Sequence, residues 1–375
     1  MGQLLEGIRV LDMSRYIAGP YCGLLLADMG AEVIKVEKMG LGDETRQLGP
    51  WIDGVSLYFP AYNRNKKSVS IDFRSEQGQQ DLRNLIKDAD VVLENFRPGT
   101  LAKMGLSFEE MQKINPKIIL TSVSGFGQEG PYSERAAFDV IVSAMGGFYK
   151  LFPDKAPERG GAGLPIADTM AAMYGCIGTL AALVYRDHTG IGQHVDAAMY
   201  SGLAAMHNTT VAQYALTGQL PAEEVPDCAP QGTVKCKDGY VNLHGGTDPM
   251  FKRLKTILVD DPVIQDPQYN EVPNRVRDRD LLLKRVELWS QNLTCKEVEN
   301  KLVEVGIPVG QVADTKIIYE NEHLNAINFF VDVEVPGIGQ VTYPGCPLRF
   351  SATPITEYRK SPELGEDNET YLHHK

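Results

Sequence analysis

Two short β-branched runs, GIRVLDM (7–13) and AEVIKVE (31–37), enclose a helix-like segment near the start of the chain. The segment CGLLLADMG between them has apolar residues at helical spacing, and Gly30 ends it because glycine readily adopts left-handed backbone conformations. A strand, a helix and a strand in this order predict a βαβ unit with two parallel strands. This feature restricts the first part of the chain to an α/β architecture.

The same alternation continues to about residue 130. Strand-like and helix-like segments follow in turn: SVSIDF (68–73), EQGQQDLRNLIKDA (76–89), DVVLENF (90–96), a helix near 101–113 and KIILTSVSGFG (117–127). Repeated units of this kind predict an open, doubly wound parallel sheet. Segments with helical periodicity dominate from about 137 to 218, and one predicted strand, at 192–198, precedes the last of these helices.

A proline-rich stretch, QLPAEEVPDCAPQG (219–232), predicts a linker to a second domain. A hairpin at 235–246, with Asp238-Gly239 at its turn, and helices near 248–258, 278–292 and 295–305 predict a smaller α+β domain at 226–325. The final strands, FFVDVEVPG, GQVTYPG and LRF, have no core of their own. Linkers are predicted near 219–232 and 318–330.

Composition excludes several classes of function. A net charge of −12 disfavours nucleic-acid or anionic-membrane partners, which need a dense basic surface. Six scattered cysteines without a CxxC predict reduced thiols and a cytoplasmic location, and Glu6 and Arg9 stand where a signal peptide would be apolar. The apolar run from Asp168 to Arg186 falls short of the ~20 residues of a membrane span. No histidine spacing predicts a metal site.

The loop DMSRYIAGP after the first strand has one glycine, Gly19, where a dinucleotide fingerprint needs three, so nicotinamide binding is disfavoured. Basic residues nevertheless gather in sequence near the predicted carboxyl edge of the sheet: Lys35, Lys38, Arg46, Arg64, Lys66 and Lys67. In an acidic protein they are a candidate phosphate pocket. The alternative is an ordinary solvated face.

Asp168 is the most suggestive carboxylate, because it follows GGAGLPIA and precedes a long apolar helix. At or next to the N-cap of that helix it would stay ionised and could attack a carbonyl carbon. Plain helix capping is the alternative, and it applies equally to Asp139. Gly245-Gly246 predicts a flexible turn. This turn either approaches a ligand or only connects two elements of the chain.

Several long motifs, in order, resemble the class III CoA-transferases, the group of formyl-CoA, carnitine and bile-acid CoA-transferases. They are GIRVLDMSRYIAGPYCGLLLADMGAEVIKVE, GDETR (42–46), NRNKKSVSIDFR (63–74), ADVVLENFRPGTLAKMG (89–105), SGFGQEGP, GLPIAD and TGIGQHVDAAM. The resemblance covers about residues 5–370. It implies a Rossmann-like large domain built from both chain ends, 1–222 plus 326–375, an inserted smaller domain and an interlaced homodimer.

The resemblance also implies a chemistry. The family nucleophile falls on Asp168, which would form an acyl–aspartyl anhydride and then an aspartyl–CoA thioester while CoA moves between carboxylic acids. No metal or redox cofactor is implied, since CoA is itself the carrier. The implied CoA contacts are Ile17, Ala18, Lys38, Ile71, Asp72, Phe73, Arg74, Asn95, Phe96, Arg97 and Lys103.

Two departures from the family pattern bear on the reaction. Phe138-Asp139 stands where the racemase branch has a histidine before the aspartate, which disfavours exchange of an α-proton. Ile17 replaces the glutamine of formyl-CoA transferases, and Gly245-Gly246 is a shorter glycine loop. We expect a less polar acyl site near Tyr16, Ile17, Tyr58 and Phe138. A 2-methylacyl-CoA racemase or isomerase and a non-catalytic CoA-binding protein remain the alternative functions.

Overall fold

The computed structural model describes residues 3–151, 163–220 and 227–372. The chain divides into two compact units, Met1–Asn208 with Ile327–Lys375 and Thr209–Ala326. The first boundary lies before the predicted linker at 219–232, of which residues 221–226 are outside the described residues. Helix α10 (Asn208–Thr217) has no buried residue, so it adds nothing to the core of the first unit.

Six parallel strands form the central sheet of the larger unit, in agreement with the predicted fold class. Its strands are β1 (Arg9–Asp12), β2 (Glu32–Lys38), β5 (Lys67–Ile71), β6 (Val91–Glu94), β7 (Ile119–Ser124) and β8 (His194–Ala198); β3 (Trp51–Ile52) and β4 (Val55–Ser56) form a separate short hairpin. The strand order is β5-β2-β1-β6-β7-β8. The order reverses between β1 and β6, and ligands of such sheets bind beyond the carboxyl ends of the strands at this point.

The helices of the larger unit cover both faces of this sheet. They are α1 (Ala18–Asp28), α2 (Tyr58–Asn63), α3 (Glu76–Lys87), α4 (Thr100–Lys103), α5 (Phe108–Ile114), α6 (Asp139–Met145), α7 (Phe148–Leu151), α8 (Ile166–Thr189) and α9 (Met199–Ala205), with a 3₁₀ turn at Glu44–Gln47. The helix predicted near 101–113 is two helices, because Gly105 adopts a φ of 69° and Ser107 caps α5. Gly147, with a φ of 83°, likewise separates α6 from α7.

Helix α8 is the long apolar helix of this unit. Its small residues Ala171, Ala172, Gly175 and Cys176 are buried, and it packs against α1, β7 and β8. Within the described ranges it is the one helix whose length and composition would suffice to cross a bilayer. Its packing on the sheet instead identifies it as a core helix, as predicted.

The smaller unit combines a three-stranded antiparallel sheet with short helices. Its elements are β9 (Gln231–Lys235), β10 (Tyr240–His244), β11 (Val309–Gln311), α11 (Asp248–Ile257), α12 (Val272–Arg277), α13 (Arg279–Ser290), α14 (Cys295–Glu304), α15 (Thr315–Tyr319) and α16 (Glu322–Ala326), with a 3₁₀ turn at Pro267–Asn270. Strands β9 and β10 form the predicted hairpin around Asp238-Gly239. Val234, Leu243 and Phe251 lie in the core of this unit.

The last described segment covers the outer edge of the large sheet. Strands β12 (Phe330–Val335) and β13 (Gly339–Pro344) form a hairpin, α17 spans Asn368–Tyr371, and the predicted strand LRF is not formed. The Asp367 carboxylate accepts the N–H of Ser68 at 2.9 Å, and the Asn368 side chain accepts the N–H of Ser70 at 2.8 Å. These side chains bind donor groups that the edge strand β5 would otherwise leave unpaired.

Candidate active site

A cavity of about 610 Å³ lies where the strand order reverses, among the loops after β1, β6 and β7 and the start of α8. Ten of the predicted site residues line it: Tyr16, Ile17, Ala18, Tyr58, Asn95, Phe96, Arg97, Phe138, Asp139 and Asp168. The structure therefore brings these ten residues together in one cavity, and their roles in binding and catalysis stay predictions. Arg15, Ser133, Arg135 and Tyr149 also line the cavity and were not singled out from the sequence.

Asp168 is the third residue of α8, and its side chain borders the cavity. Burial raises the pKa of its carboxyl to about 7, and the negative charge of Asp139 contributes to the rise. The carboxylate is therefore poorly solvated when ionised, which makes it more reactive toward an electrophile.

Asp139, the first residue of α6, is the group that caps α8. Its Oδ1 accepts the N–H of Ala167 at 2.6 Å and that of Asp168 at 3.2 Å. The N-cap position of α8 is Pro165, whose side chain makes no capping bond. The predicted alternative in which Asp168 caps its own helix is therefore wrong: Asp139 satisfies these donors from a neighbouring helix, and Asp168 faces the cavity.

The loop after β1 is joined to the loop after β6 by Asn95. The Asn95 side chain accepts the N–H of Arg15 at 2.8 Å and donates to the Arg15 carbonyl at 2.6 Å. The Arg15 guanidinium lies over the Phe96 ring, 5.6 Å from its centroid, and pairs with Glu44 at 2.9 Å. Two loops that come from distant parts of the sequence thus form one wall of the cavity.

Aromatic side chains form the more apolar part of the wall. Tyr16 has a φ of 65°, a conformation that costs a bulky residue energy and is found preferentially at functional sites. Its ring meets Phe138 edge to face, with centroids 6.3 Å apart. Tyr58 lies in the same cavity, and burial followed by the charges of Asp168 and Asp139 raises the pKa of its hydroxyl. Together with Ile17 they line the same cavity, and their role as a less polar acyl site stays a prediction.

The predicted basic phosphate pocket is wrong in most of its members. Each of five cations pairs with a carboxylate: Lys35 with Asp43 at 2.9 Å, Arg46 with Glu37 at 2.7 Å, Arg64 with Asp28 at 2.7 Å, Lys66 with Asp12 at 2.7 Å and Lys67 with Asp367 at 3.4 Å. Lys66 also donates to the Pro20 carbonyl at 2.8 Å, and Lys35 to that of Ser14. Buried Lys35 and Lys66 therefore stabilise the loop after β1 through hydrogen bonds to its backbone carbonyls.

Some residues implied by the resemblance lie outside the cavity. Lys38 pairs with Glu44 at 2.8 Å, and Arg74 and Lys103 are exposed. The others outside it are Ile71, Asp72, Phe73, Gly245 and Gly246. The two glycines belong to the smaller unit, where the Gly246 carbonyl accepts from buried Arg275 at 3.0 Å. Within the described residues, no three His, Cys, Asp or Glu side chains are grouped to hold a metal ion.

The chain matches known enzymes along nearly its whole length. The model of CoA-transferase family III matches residues 5–368. The succinyl-CoA–D-citramalate CoA-transferase of Chloroflexus aurantiacus is 37% identical over 97% of this chain and 92% of that enzyme. The succinate–glutarate CoA-transferase of Agrobacterium fabrum is 34% identical over 96% of this chain and 93% of that enzyme. A CAIB/BAIF family crystal structure from Brucella suis superposes with a TM-score of 0.89, at 33% identity over 100% of both chains.

A parallel α/β sheet with a carboxylate-lined cavity at its switch point, in a chain related to these enzymes, defines an enzyme that transfers coenzyme A. The chain belongs to CoA-transferase family III, as its motifs predicted.

Proposed function

We propose that the protein exchanges CoA between an acyl-CoA and a carboxylic acid, with Asp168 as the covalent nucleophile. The observation that carries this proposal is the Asp168 carboxylate at the cavity, with its pKa raised to about 7 and the helix donors beside it occupied by Asp139. A carboxylate that is neither hydrogen-bonded to its helix nor fully hydrated is suited to attack a thioester carbonyl.

In the proposed sequence, Asp168 attacks the thioester carbonyl, the C–S bond breaks and CoA leaves as a thiolate. The thiolate attacks the aspartyl carbonyl of the resulting anhydride, which releases the donor acid and leaves CoA on Asp168. The acceptor carboxylate then attacks the aspartyl thioester and forms a second anhydride. The thiolate opens this anhydride at the acceptor carbonyl, which gives the new acyl-CoA and restores Asp168. The protein supplies orientation and shelter from water, and no further cofactor is needed.

We assign CoA binding to the loops after β1 and β6, which line the cavity, and to Lys38, Arg74 and Lys103, which the family resemblance implies as CoA contacts. Arg74→Ala is expected to weaken CoA binding by roughly 1–3 kcal/mol, the cost of a lost charged hydrogen bond. Lys38→Ala should have the smaller effect, since Lys38 is partly exposed and already paired with Glu44. Calorimetric titration with CoA measures both, and Lys87→Ala at the far end of α3 is the control. Unchanged affinity in both variants would refute this assignment.

We propose dicarboxylic acids and their mono-CoA thioesters as the substrate class. The two relatives described above carry names that specify succinyl or succinate, with citramalate or glutarate as the second acid. Arg135 lines the cavity, stacks on Tyr132 at 3.6 Å and has no carboxylate partner in the described chain. Its guanidinium is suited to bind the free carboxylate of such a substrate, while Tyr16, Ile17 and Phe138 contact its carbon chain.

Arg135→Ala is expected to lower kcat/KM for a dicarboxylic acceptor about 10- to 100-fold, the range for a lost charged hydrogen bond. A monocarboxylic acid of equal chain length should be affected less than threefold, because it has no second carboxylate. Arg135→Lys serves as the matched control that keeps the charge. Equal losses for both acids would assign Arg135 to CoA instead. In the same assay, a clear preference for oxalate over branched dicarboxylic acids would contradict the less polar acyl site.

We further propose a cytoplasmic, interlaced homodimer. The face of α8 opposite its buried side exposes Met173, Tyr174, Ile177, Val184 and Tyr185. A row of large apolar side chains on one helix supports an interface with a second copy. Sedimentation velocity measures the mass in solution, and a monomer at micromolar concentration would refute the dimer.

A further inference from the structure

A row of polar side chains crosses three strands near the carboxyl edge of the sheet. Glu94, the last residue of β6, pairs in register with Ser122 of β7, which pairs with Asp196 of β8. In-register neighbours on parallel strands point to the same face, so these three side chains are adjacent. Glu94 is only 4% exposed, and the transfer mechanism does not use it.

The Glu94 carboxylate is hydrogen-bonded to the backbone of the turn that follows it. Its Oε2 accepts the N–H of Phe96 at 2.7 Å. The Ser122 Oγ, beside it on β7, lies 2.9 Å from Nε2 of His194. Glu94 therefore ties the end of β6 to Phe96, and Ser122 ties β7 to β8.

The turn that Glu94 holds is part of the cavity wall. Asn95, Phe96 and Arg97 all line the cavity, and Asn95 bonds both backbone groups of Arg15 in the neighbouring loop. Arg97 also borders a second cavity, of about 170 Å³, into which Glu94 and Ser122 face. A displacement at Glu94 would therefore reach both loops of the cavity wall.

We propose that Glu94 is a positioning residue for coenzyme A binding, which fixes the Asn95–Arg97 turn by accepting the Phe96 N–H. This inference rests on the proposed binding of CoA by that turn. Glu94 does not contact the reacting atoms, since it lies on the sheet face that carries Leu120, whereas α8 packs on the face of Val123. We therefore expect it to act on the KM for acyl-CoA rather than on kcat.

The buried position of Glu94 predicts that the KM for acyl-CoA depends on pH. Burial raises the pKa of Glu94 to about 7, the donors Ser122 and Phe96 oppose the rise, and the charge of Asp196 adds to it. The other charged or titratable groups that border it are His194 on β8, Arg97 in its own turn and Glu109 on α5. Protonation as pH falls through about 7 removes the anionic acceptor from the turn. The KM for acyl-CoA is therefore expected to rise between pH 8 and pH 6.

The test compares Glu94→Ala and Glu94→Gln in steady-state kinetics and CoA titration. Glu94→Ala should raise the KM for acyl-CoA and the Kd for CoA about tenfold at pH 8, with kcat within about twofold. Glu94→Gln keeps an oxygen acceptor but carries no charge, as protonated Glu94 does, so its KM should match that of wild type at pH 6 and stay at that value at pH 8. Asp81→Ala is the matched control, because Asp81 is a buried acid on α3 that bonds Gln77. It should leave KM unchanged.

Asn95→Ala distinguishes the positioning role of Glu94 from the binding of CoA by the Asn95–Arg97 turn. If Asn95→Ala raises KM and Glu94→Ala does not, the positioning role is overturned and CoA binding by the turn stands. If neither variant changes KM or Kd, CoA binding by the turn is refuted as well. A lower melting temperature in Glu94→Ala with unchanged KM would show a purely structural role. If Glu94→Ala does not fold, Ser122→Ala replaces it: loss of one donor should move the midpoint of the KM profile to higher pH, and an unmoved midpoint overturns the proposal.

Discussion

Asp168→Asn is expected to lower kcat by more than about 10³-fold, because covalent transfer loses its nucleophile while the cavity keeps its shape. CoA should still bind, with its Kd within about threefold of wild type, since the amide is isosteric. Hydroxylamine trapping with acyl-CoA should give a hydroxamate at Asp168 in the wild type and none in the variant. A racemase would exchange α-deuterium without trapping, and a CoA-binding protein would do neither. Retained turnover in the variant would contradict the assignment.

The same variant is expected to be more stable than wild type in alkaline buffer. Folding raises the pKa of Asp168 to about 7, so its favourable contribution to stability is present below its unfolded value and is lost as pH rises through about 7. An asparagine cannot ionise, so Asp168→Asn should gain on the order of 1–3 kcal/mol at pH 8 and little at pH 4. Urea unfolding at both pH values measures this gain. Asp187→Asn, on the exposed face of the same helix, is the control, and equal gains in both variants would contradict the explanation.

Asp139→Asn is expected to move the acid limb of kcat/KM to lower pH. Asp139 adds to the raised pKa of Asp168, so removing its charge lowers that pKa and leaves Asp168 ionised in more acidic buffer. The shift should be about one pH unit, since the Asp139 carboxylate, on α6, accepts the backbone N–H of Asp168 at the start of α8. An acid limb that stays in place would show that burial alone sets the pKa of Asp168.

Asp139→Ala should have a larger effect on rate, with kcat lowered about 10²-fold and stability lowered by about 1–2 kcal/mol. The N–H groups of Ala167 and Asp168 lose their acceptor in this variant. The Asp168 side chain is then free to cap its own helix and turn away from the cavity. A stable Asp139→Ala variant with wild-type kcat would contradict the capping role.

The sequence predicted the sheet because strand-like runs and glycine-ended helices are local signals. It also predicted ten of the residues that line the cavity, since residues that follow parallel strands meet at one edge. Charge pairing was not predictable in the same way. Lys35 and Lys66 looked like phosphate ligands, yet their carboxylate partners lie on other elements. The capping of α8 by Asp139 is likewise a contact between two helices that no local pattern records.

Arg135 was missed because it stands in a short stretch, SERAAF, with neither helical nor strand periodicity. Stacking on Tyr132 and the absence of a described acidic partner distinguish it only in three dimensions. The register of β6, β7 and β8, by contrast, places Glu94, Ser122 and Asp196 in one row, and a strand alignment alone could have suggested it. Register across parallel strands is therefore a usable sequence signal for polar networks.

The segment with Asp367 and Asn368 that covers the edge strand β5 has a consequence for biosynthesis. Asp367 is translated 299 residues after Ser68, whose amide it accepts. A ribosome-bound chain therefore carries all six strands of the sheet while the rim at β5 is still uncovered. During that interval a neighbouring nascent chain can add to the rim by strand pairing. Cellular yield should thus be more sensitive to substitution of Asp367 and Asn368 than turnover by the purified enzyme is.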